Sequence, residues 1–125
     1  MHIASVYFCD SEGMSETNLE ILAELACLLL SLVGPWIVAG DHNFTPAMLA
    51  ATGWLQLVKG VIRAPDSPTC NGAVYDFFIL SQAADQMHHS VLRISDSGLN
   101  PHFPARLLLK CNIRRISVQC LPGQA

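Results

Sequence analysis

The sequence predicts an α/β layered domain. Its apolar and β-branched runs alternate with helical stretches in the order β-α-β-α-β-β-β, the pattern of helices packed on a sheet. One run, Trp36-Ile37-Val38-Ala39, is apolar at every position, as in a strand covered on both faces. The length, 125 residues, accommodates one small domain and not two.

Ile3 to Phe8 is apolar and partly β-branched and runs into the turn-rich Asp10-Ser11-Glu12-Gly13, a strand followed by a loop. Ser15 or Thr17 can cap a helix whose positive end Glu16 and Glu20 favour. Leu19, Leu22, Leu25 or Ala26, and Leu29 recur at helical steps and give that helix one buried stripe, which Gly34-Pro35 stops. After the Trp36 strand, Thr45-Pro46 is a cap followed by proline at the first helical position, and Gly53 ends the short helix. Residues 61–64 make a minor strand and 65–72 a loop. Residues 74–80 and 90–94 make two further strands, and 106–111 a last one after the loop 95–104. Residues 112–125 carry no pattern and read as a tail appended to a domain spanning 1–111.

The chain is 51% hydrophobic and 14% charged, more apolar than a typical soluble domain. Either its core is unusually dry or one apolar face is meant for another segment. No apolar run reaches the roughly 18 residues that span a bilayer, and the longest, Leu19 to Val33, is broken by Glu20 and Glu24. Met1-His2-Ile3 lacks the basic start of a signal peptide, so the expectation is an intracellular protein, cytoplasmic or nuclear, with no membrane partner. A net charge of −3, with arginines scattered apart from Arg114-Arg115, weighs against strong nonspecific nucleic-acid binding. The 5 cysteines, odd in number and without CxxC spacing, fit free and mostly buried thiols. His88-His89 precede a strand, where neighbours point apart, and make no metal site.

Three segments can carry chemistry. In Gly40-Asp41-His42-Asn43 an apolar strand delivers a glycine, an acid and an amide. Extended backbone would put Asp41 and Asn43 on one side, with His42 pointing elsewhere. Gly40 would leave room for a phosphate to approach. The plainer reading is a pair of Asx turns closing the strand. In Tyr75-Asp76-Phe77-Phe78-Ile79-Leu80 an acid sits in a bulky apolar run, where desolvation demands a partner unless it lies at the strand's exposed start. In Asn100-Pro101-His102-Phe103-Pro104 a histidine stands between prolines that restrict its backbone, although a lone loop histidine is more often a surface residue.

The ordered trio, GDxN, an apolar strand opening with Asp, and a His-x-Pro loop before the last strand, resembles the C-terminal signature of the endonuclease/exonuclease/phosphatase (deoxyribonuclease-I-like) superfamily. The likeness covers roughly Ile3 to Leu109, and the stretches 69–81 and 101–108 are similar to retroelement-type endonuclease domains. It implies the C-terminal half of a four-layer α/β-sandwich: one mixed sheet, helices on one side, and an inner face built from Val38, Phe78 and Leu80 that is exposed or only partly covered by the tail. It also implies a metal-dependent phosphodiesterase. Asp41 resembles the aspartate that activates water and holds Mg²⁺ (or Mn²⁺). Asn43 resembles the asparagine that holds the nucleophile or a phosphate oxygen. Asp76 resembles the aspartate that fixes the catalytic histidine, and His102 that histidine. Tyr7 matches more loosely a tyrosine on the scissile phosphate, the alternative being a packed strand aromatic.

Two departures bear on activity. Pro101 occupies the place where the family has a second acid before the histidine. Met1 stands directly before a strand of the second half, so the family's N-terminal glutamate and asparagine are not expected within these residues, and Glu12 and Glu16 match no metal position. The metal would be held weakly, and hydrolysis by the chain alone would be very low or nil. The missing N-terminal half, or a partner protein, would cover the apolar face. The competing readings are a noncatalytic interaction module and a truncated gene product that keeps the fold. The substrate, whether DNA, RNA, a phosphoinositide or another phosphoester, is not specified by these motifs.

Overall fold

The computed structural model describes residues 1–95, 98, 101–110 and, as a strand, 115–120. Asn100 and Arg114, singled out above, lie outside the described residues, as does most of the tail. The described elements are β1 (His2–Tyr7), α1 (Glu16–Ser31), β2 (Trp36–Asp41), α2 (Pro46–Ala50), α3 (Trp54–Val58), β3 (Gly60–Arg63), β4 (Asp76–Ser81), α4 (Gln82–Asp85), β5 (His88–Arg93), β6 (Ala105–Lys110) and β7 (Arg115–Cys120).

Local chemistry sets the helix ends. The Ser15 hydroxyl caps α1 by accepting from Asn18 N–H, and Leu22, Leu25, Ala26 and Leu29 form the buried stripe. Leu19, expected in that stripe, is 44% exposed. Thr45 caps α2 and Pro46 opens it, as its sequence indicates. The next helix, α3, is too short for a period to show in the sequence. It is bounded by Gly53 at φ 80° and by Lys59 at φ 55°. Ser81 caps a further single turn, α4.

The first sheet has the order β1-β2-β4-β3. It is mixed, because β1 runs parallel to β2 while β2–β4 and β4–β3 are antiparallel. The helical layer lies on one of its faces, where Val38, Phe77 and Ile79 pack with Leu22, Leu25, Leu29 and Trp54. Ile37, Ala39, Phe78 and Leu80 form the other face and pack against Ala105, Leu107 and Leu109 of β6. The strands β5, β6 and β7 do not extend the first sheet but make a second, antiparallel one that lies over it. Burial patterns give the reason. Every residue of β2 is buried, whereas β6 alternates buried and exposed positions, which suits a covering layer with one solvent face.

Two expectations about the inner face are corrected. Val38 belongs to the helical side, and Phe78 and Leu80 are fully buried by the chain's own second sheet. Among the described residues of this face, the margin at β1 stays uncovered. Ile3 pairs with Ile37 and Tyr7 with Asp41, so both share the inner face, yet they are 58% and 43% exposed. β7 lies beside β2, in the stretch where the sequence shows no pattern.

Candidate active site

The strand β2 ends on an acid and β4 begins on one. Asp41 and Asp76 are the last register partners of their antiparallel ladder, which places two carboxylates opposite each other on one face. Both are almost completely buried, Asp41 at 3% exposure and Asp76 at 0%. Like charges so placed repel, and dehydration adds to the cost. Burial is accordingly the main cause that raises both carboxyl pKa values above the usual aspartate range.

His102 fits between them. Its Nδ1 lies 2.7 Å from Asp76 Oδ2 and its Nε2 lies 3.2 Å from Asp41 Oδ2. The loop carrying it is fixed at both sides: Phe103 N–H donates to Thr69 O at 2.7 Å, and Ile94 N–H donates to Pro104 O at 2.7 Å. Candidate ligand atoms of Asp41, Asp76 and His102 all lie within 4.8 Å of one another. The three residues singled out from distant parts of the sequence thus meet around one small space. Asp76 sits at a buried strand start, not an exposed one.

Asn43 takes a different place from the one alternation predicts. The strand ends at Asp41, and Asn43 has φ 52°, so the extended geometry that would align the two side chains is broken. Its backbone N–H donates to Asp41 Oδ1 at 3.0 Å, the Asx turn of the plainer reading. Its side-chain amide donates to Phe8 O at 2.7 Å and ties the end of β1 to the site. Tyr7, opposite Asp41 on β1, stands on the same face and is partly exposed. Gly40 makes room for protein and not ligand, because a Cβ there would overlap the Val6 carbonyl oxygen.

Three contributors carry no motif of their own. Thr69 is fully buried, and its hydroxyl accepts from both Tyr75 N–H (3.0 Å) and Asp76 N–H (3.1 Å). Together with its carbonyl bond to Phe103, one residue holds the strand of Asp76 and the loop of His102. Arg93 donates to Pro68 O at 3.0 Å and lies 4.6 Å over the Phe103 ring, which makes it a cation beside the His102 loop. His42 points away from Asp41, as expected, into the core, and stacks on Phe77 with centroids 4.0 Å apart.

His42 has an acid consequence. Its Nε2–H donates to Phe77 O, while Nδ1 is buried with no partner. Burial lowers its pKa from 6.5 to about 4. An unfolded chain therefore binds a proton below pH 6.5 that the folded chain refuses until about pH 4. The stability His42 allows is complete above pH 6.5 and is lost on acidification across that window, up to about 3 kcal/mol. Urea midpoints measured from pH 7 to 4.5 should fall, and His42→Phe should flatten that fall. An equal slope in the variant would refute the assignment.

Against solved structures, the chain matches the crystal structure of cytolethal distending toxin from Actinobacillus actinomycetemcomitans at a TM-score of 0.63 and 20% identity, over 82% of this chain and 47% of the toxin chain. The fold is a partial deoxyribonuclease-I-like α/β sandwich. The chain spans about half the length of that neighbour, 47%. No family model and no curated protein matches it. In this fold the Asp41–His102–Asp76 cluster sits where β2 ends, β4 begins and the His102 loop returns. Cys9, Cys27 and Cys70 are free thiols; Cys70 is buried as expected, but Cys27 is exposed. Among the described residues, no helix is long and apolar enough to cross a membrane.

Proposed function

We propose that this chain carries the acid–histidine half of a phosphodiesterase site, endonuclease-like and of the retroelement type, with little or no hydrolysis by itself. The observation that supports this most directly is the Asp76–His102–Asp41 chain of contacts where β2 ends and β4 begins. Asp76 accepts from Nδ1–H and so fixes the tautomer and orientation of His102. Nε2 faces Asp41 at 3.2 Å, and a phosphate oxygen would replace Asp41 as its partner. Donation from Nε2–H, which requires the imidazolium form of His102, would then offset charge developing on the phosphoryl group. Asp41, released from that contact, is the base that takes a proton from the attacking water. Asn43 N–H holds Asp41 in place, and Tyr7 borders the substrate.

Among the described residues the donors suit a divalent cation only in part. Asp41 would hold Mg²⁺ or Mn²⁺, because Asp76 is sealed behind His102 and Pro101 brings no carboxylate. Such an ion supplies Lewis-acid stabilisation of phosphoryl charge, and a single carboxylate binds it weakly. Losing about 4 kcal/mol of such stabilisation lowers the rate about a thousandfold. Nucleic acid or another phosphoester is the substrate class this site suits, and Arg93 is a cation beside the His102 loop. The free thiols suit a reducing, intracellular setting.

The test is nicking of supercoiled plasmid and of an abasic duplex with added Mg²⁺. Cleavage should be slow, at least a hundredfold below an ordinary enzyme rate of about 10 s⁻¹. Asp41→Ala and His102→Ala should each remove what remains. Turnover at an ordinary rate would refute the incomplete site. Slow cleavage unchanged by either substitution would refute the assigned residues.

A further inference from the structure

Three edge strands have described side chains, and two of them are protected. β3 is only four residues long and ends on Arg63, which is held bidentately by Asp85 at 2.7 and 3.0 Å. The register of β5 shifts between His88 and Ser90, an irregularity of the kind that blunts an edge. β1 has no such device. His2–Tyr7 contains no proline, lysine or acid, and pairs with β2 in unbroken register. An unprotected edge of this kind templates further strand pairing.

Its free backbone groups can be assigned. His2 N–H bonds Pro35 O, and the Val6 carbonyl lies against Gly40, so the even residues turn their peptide groups toward β2. By strand alternation Ile3, Ser5 and Tyr7 turn theirs outward. The same strand is self-complementary when run antiparallel to a copy of itself. With Ser5 opposite Ser5, Ile3 falls opposite Tyr7 twice and Ala4 opposite Val6 twice. Every such pair keeps inner face against inner face. The two exposed apolar side chains of β1, at 58% and 43%, then cover each other across the join, and no formal charge opposes the approach.

We infer that β1 is a homodimer interface, joining two chains through antiparallel β1–β1 pairing about a two-fold axis at Ser5 into one continuous eight-stranded sheet. The symmetry closes, so the assembly stops at two. Each copy then sets its Ile3 beside the other's Tyr7, on the face that carries Asp41, and so borders the partner's candidate site. A five-residue strand pair is small beside a standard interface, which makes a micromolar dissociation constant the expected order.

Sedimentation velocity on the full chain from about 1 to 100 µM should show a shift from monomer to dimer. Ser5→Lys places two like charges directly opposite, and Ser5→Pro removes an outward N–H without touching the β1–β2 ladder. Each should weaken the dimer at least tenfold, with the circular dichroism of the monomer preserved. Ser5→Cys, oxidised, should yield a covalent dimer whose peptide map shows a 5-to-5 linkage. A wild-type chain that stays monomeric at about 100 µM would overturn the proposal, as would a dimer unaffected by Ser5→Lys or a crosslink mapping to other cysteines only. A Ser5→Lys chain that fails to fold leaves the 5-to-5 linkage to decide, and its absence counts against the interface.

Discussion

His102→Ala is expected to destabilise the protein by about 3 kcal/mol or more at pH 7, beyond any effect on catalysis. The substitution removes the one group that lies between two buried carboxylates held opposite each other by the β2–β4 register. In the intact protein, contact with His102 is among the influences that lower both aspartates' pKa values, working against the larger effect of burial. Without it both carboxyls rise further above 3.8. A folded-state pKa raised above the unfolded value gives stability that is present below the unfolded pKa and lost as pH rises through the folded one. His42 acts in both proteins, so the further-raised acid pair offsets part of its effect in the variant, which should lose less stability than the intact protein on acidification toward pH 4. Urea titrations at several pH values read both slopes, and the midpoint at pH 7 should drop by roughly 1–2 M. Adding Asp76→Asn to His102→Ala should restore most of the loss. Parallel acid slopes in wild type and His102→Ala, or no rescue by the second substitution, would show that His102 is not what makes the acid pair tolerable.

The elements most legible in the sequence are those whose signals are local. Ser15, Thr45-Pro46 and the Trp36 strand each act through backbone chemistry within a few residues, and each holds its expected place. The meeting of Asp41, Asp76 and His102 was legible only as an ordered set of motifs, since nothing local to His102 says that it lies 2.7 Å from Asp76. Where sequence reasoning stopped, a nonlocal contact decides. The one-sheet expectation missed that β6 alternates where β2 does not, and so covers the first sheet instead of joining it. Thr69 has no motif of its own, because a buried threonine matters here through two amide bonds that only the fold reveals. Asn43 was placed by extended-strand alternation, and a left-handed backbone at φ 52° moved its side chain to the Phe8 carbonyl instead.

Gly40 separates two views of the same motif by experiment. If the glycine serves to admit a phosphate, Gly40→Ala should fold normally and lose substrate binding. The structure gives it another task. Gly40 has φ 151°, in a region that side chains rarely adopt, and a Cβ would overlap the Val6 carbonyl oxygen while lying 3.1 Å from its carbon. That oxygen belongs to the backbone of β1, inside its ladder with β2, and cannot swing aside as a side-chain tip would. The parallel pairing of β1 with β2 must then open at Val6 and Tyr7, next to the bond from Asn43 to Phe8 O. Backbone strain and lost strand pairing together should cost about 4 kcal/mol, at the severe end for one methyl group. Urea denaturation gives the size of the loss. Hydrogen exchange gives its place: amides of β1 should exchange before those of β4, and Phe8, buried in the helical core, should become exposed with them. A Gly40→Ala chain as stable as wild type, with β1 still protected, would return the glycine to the ligand side of the question.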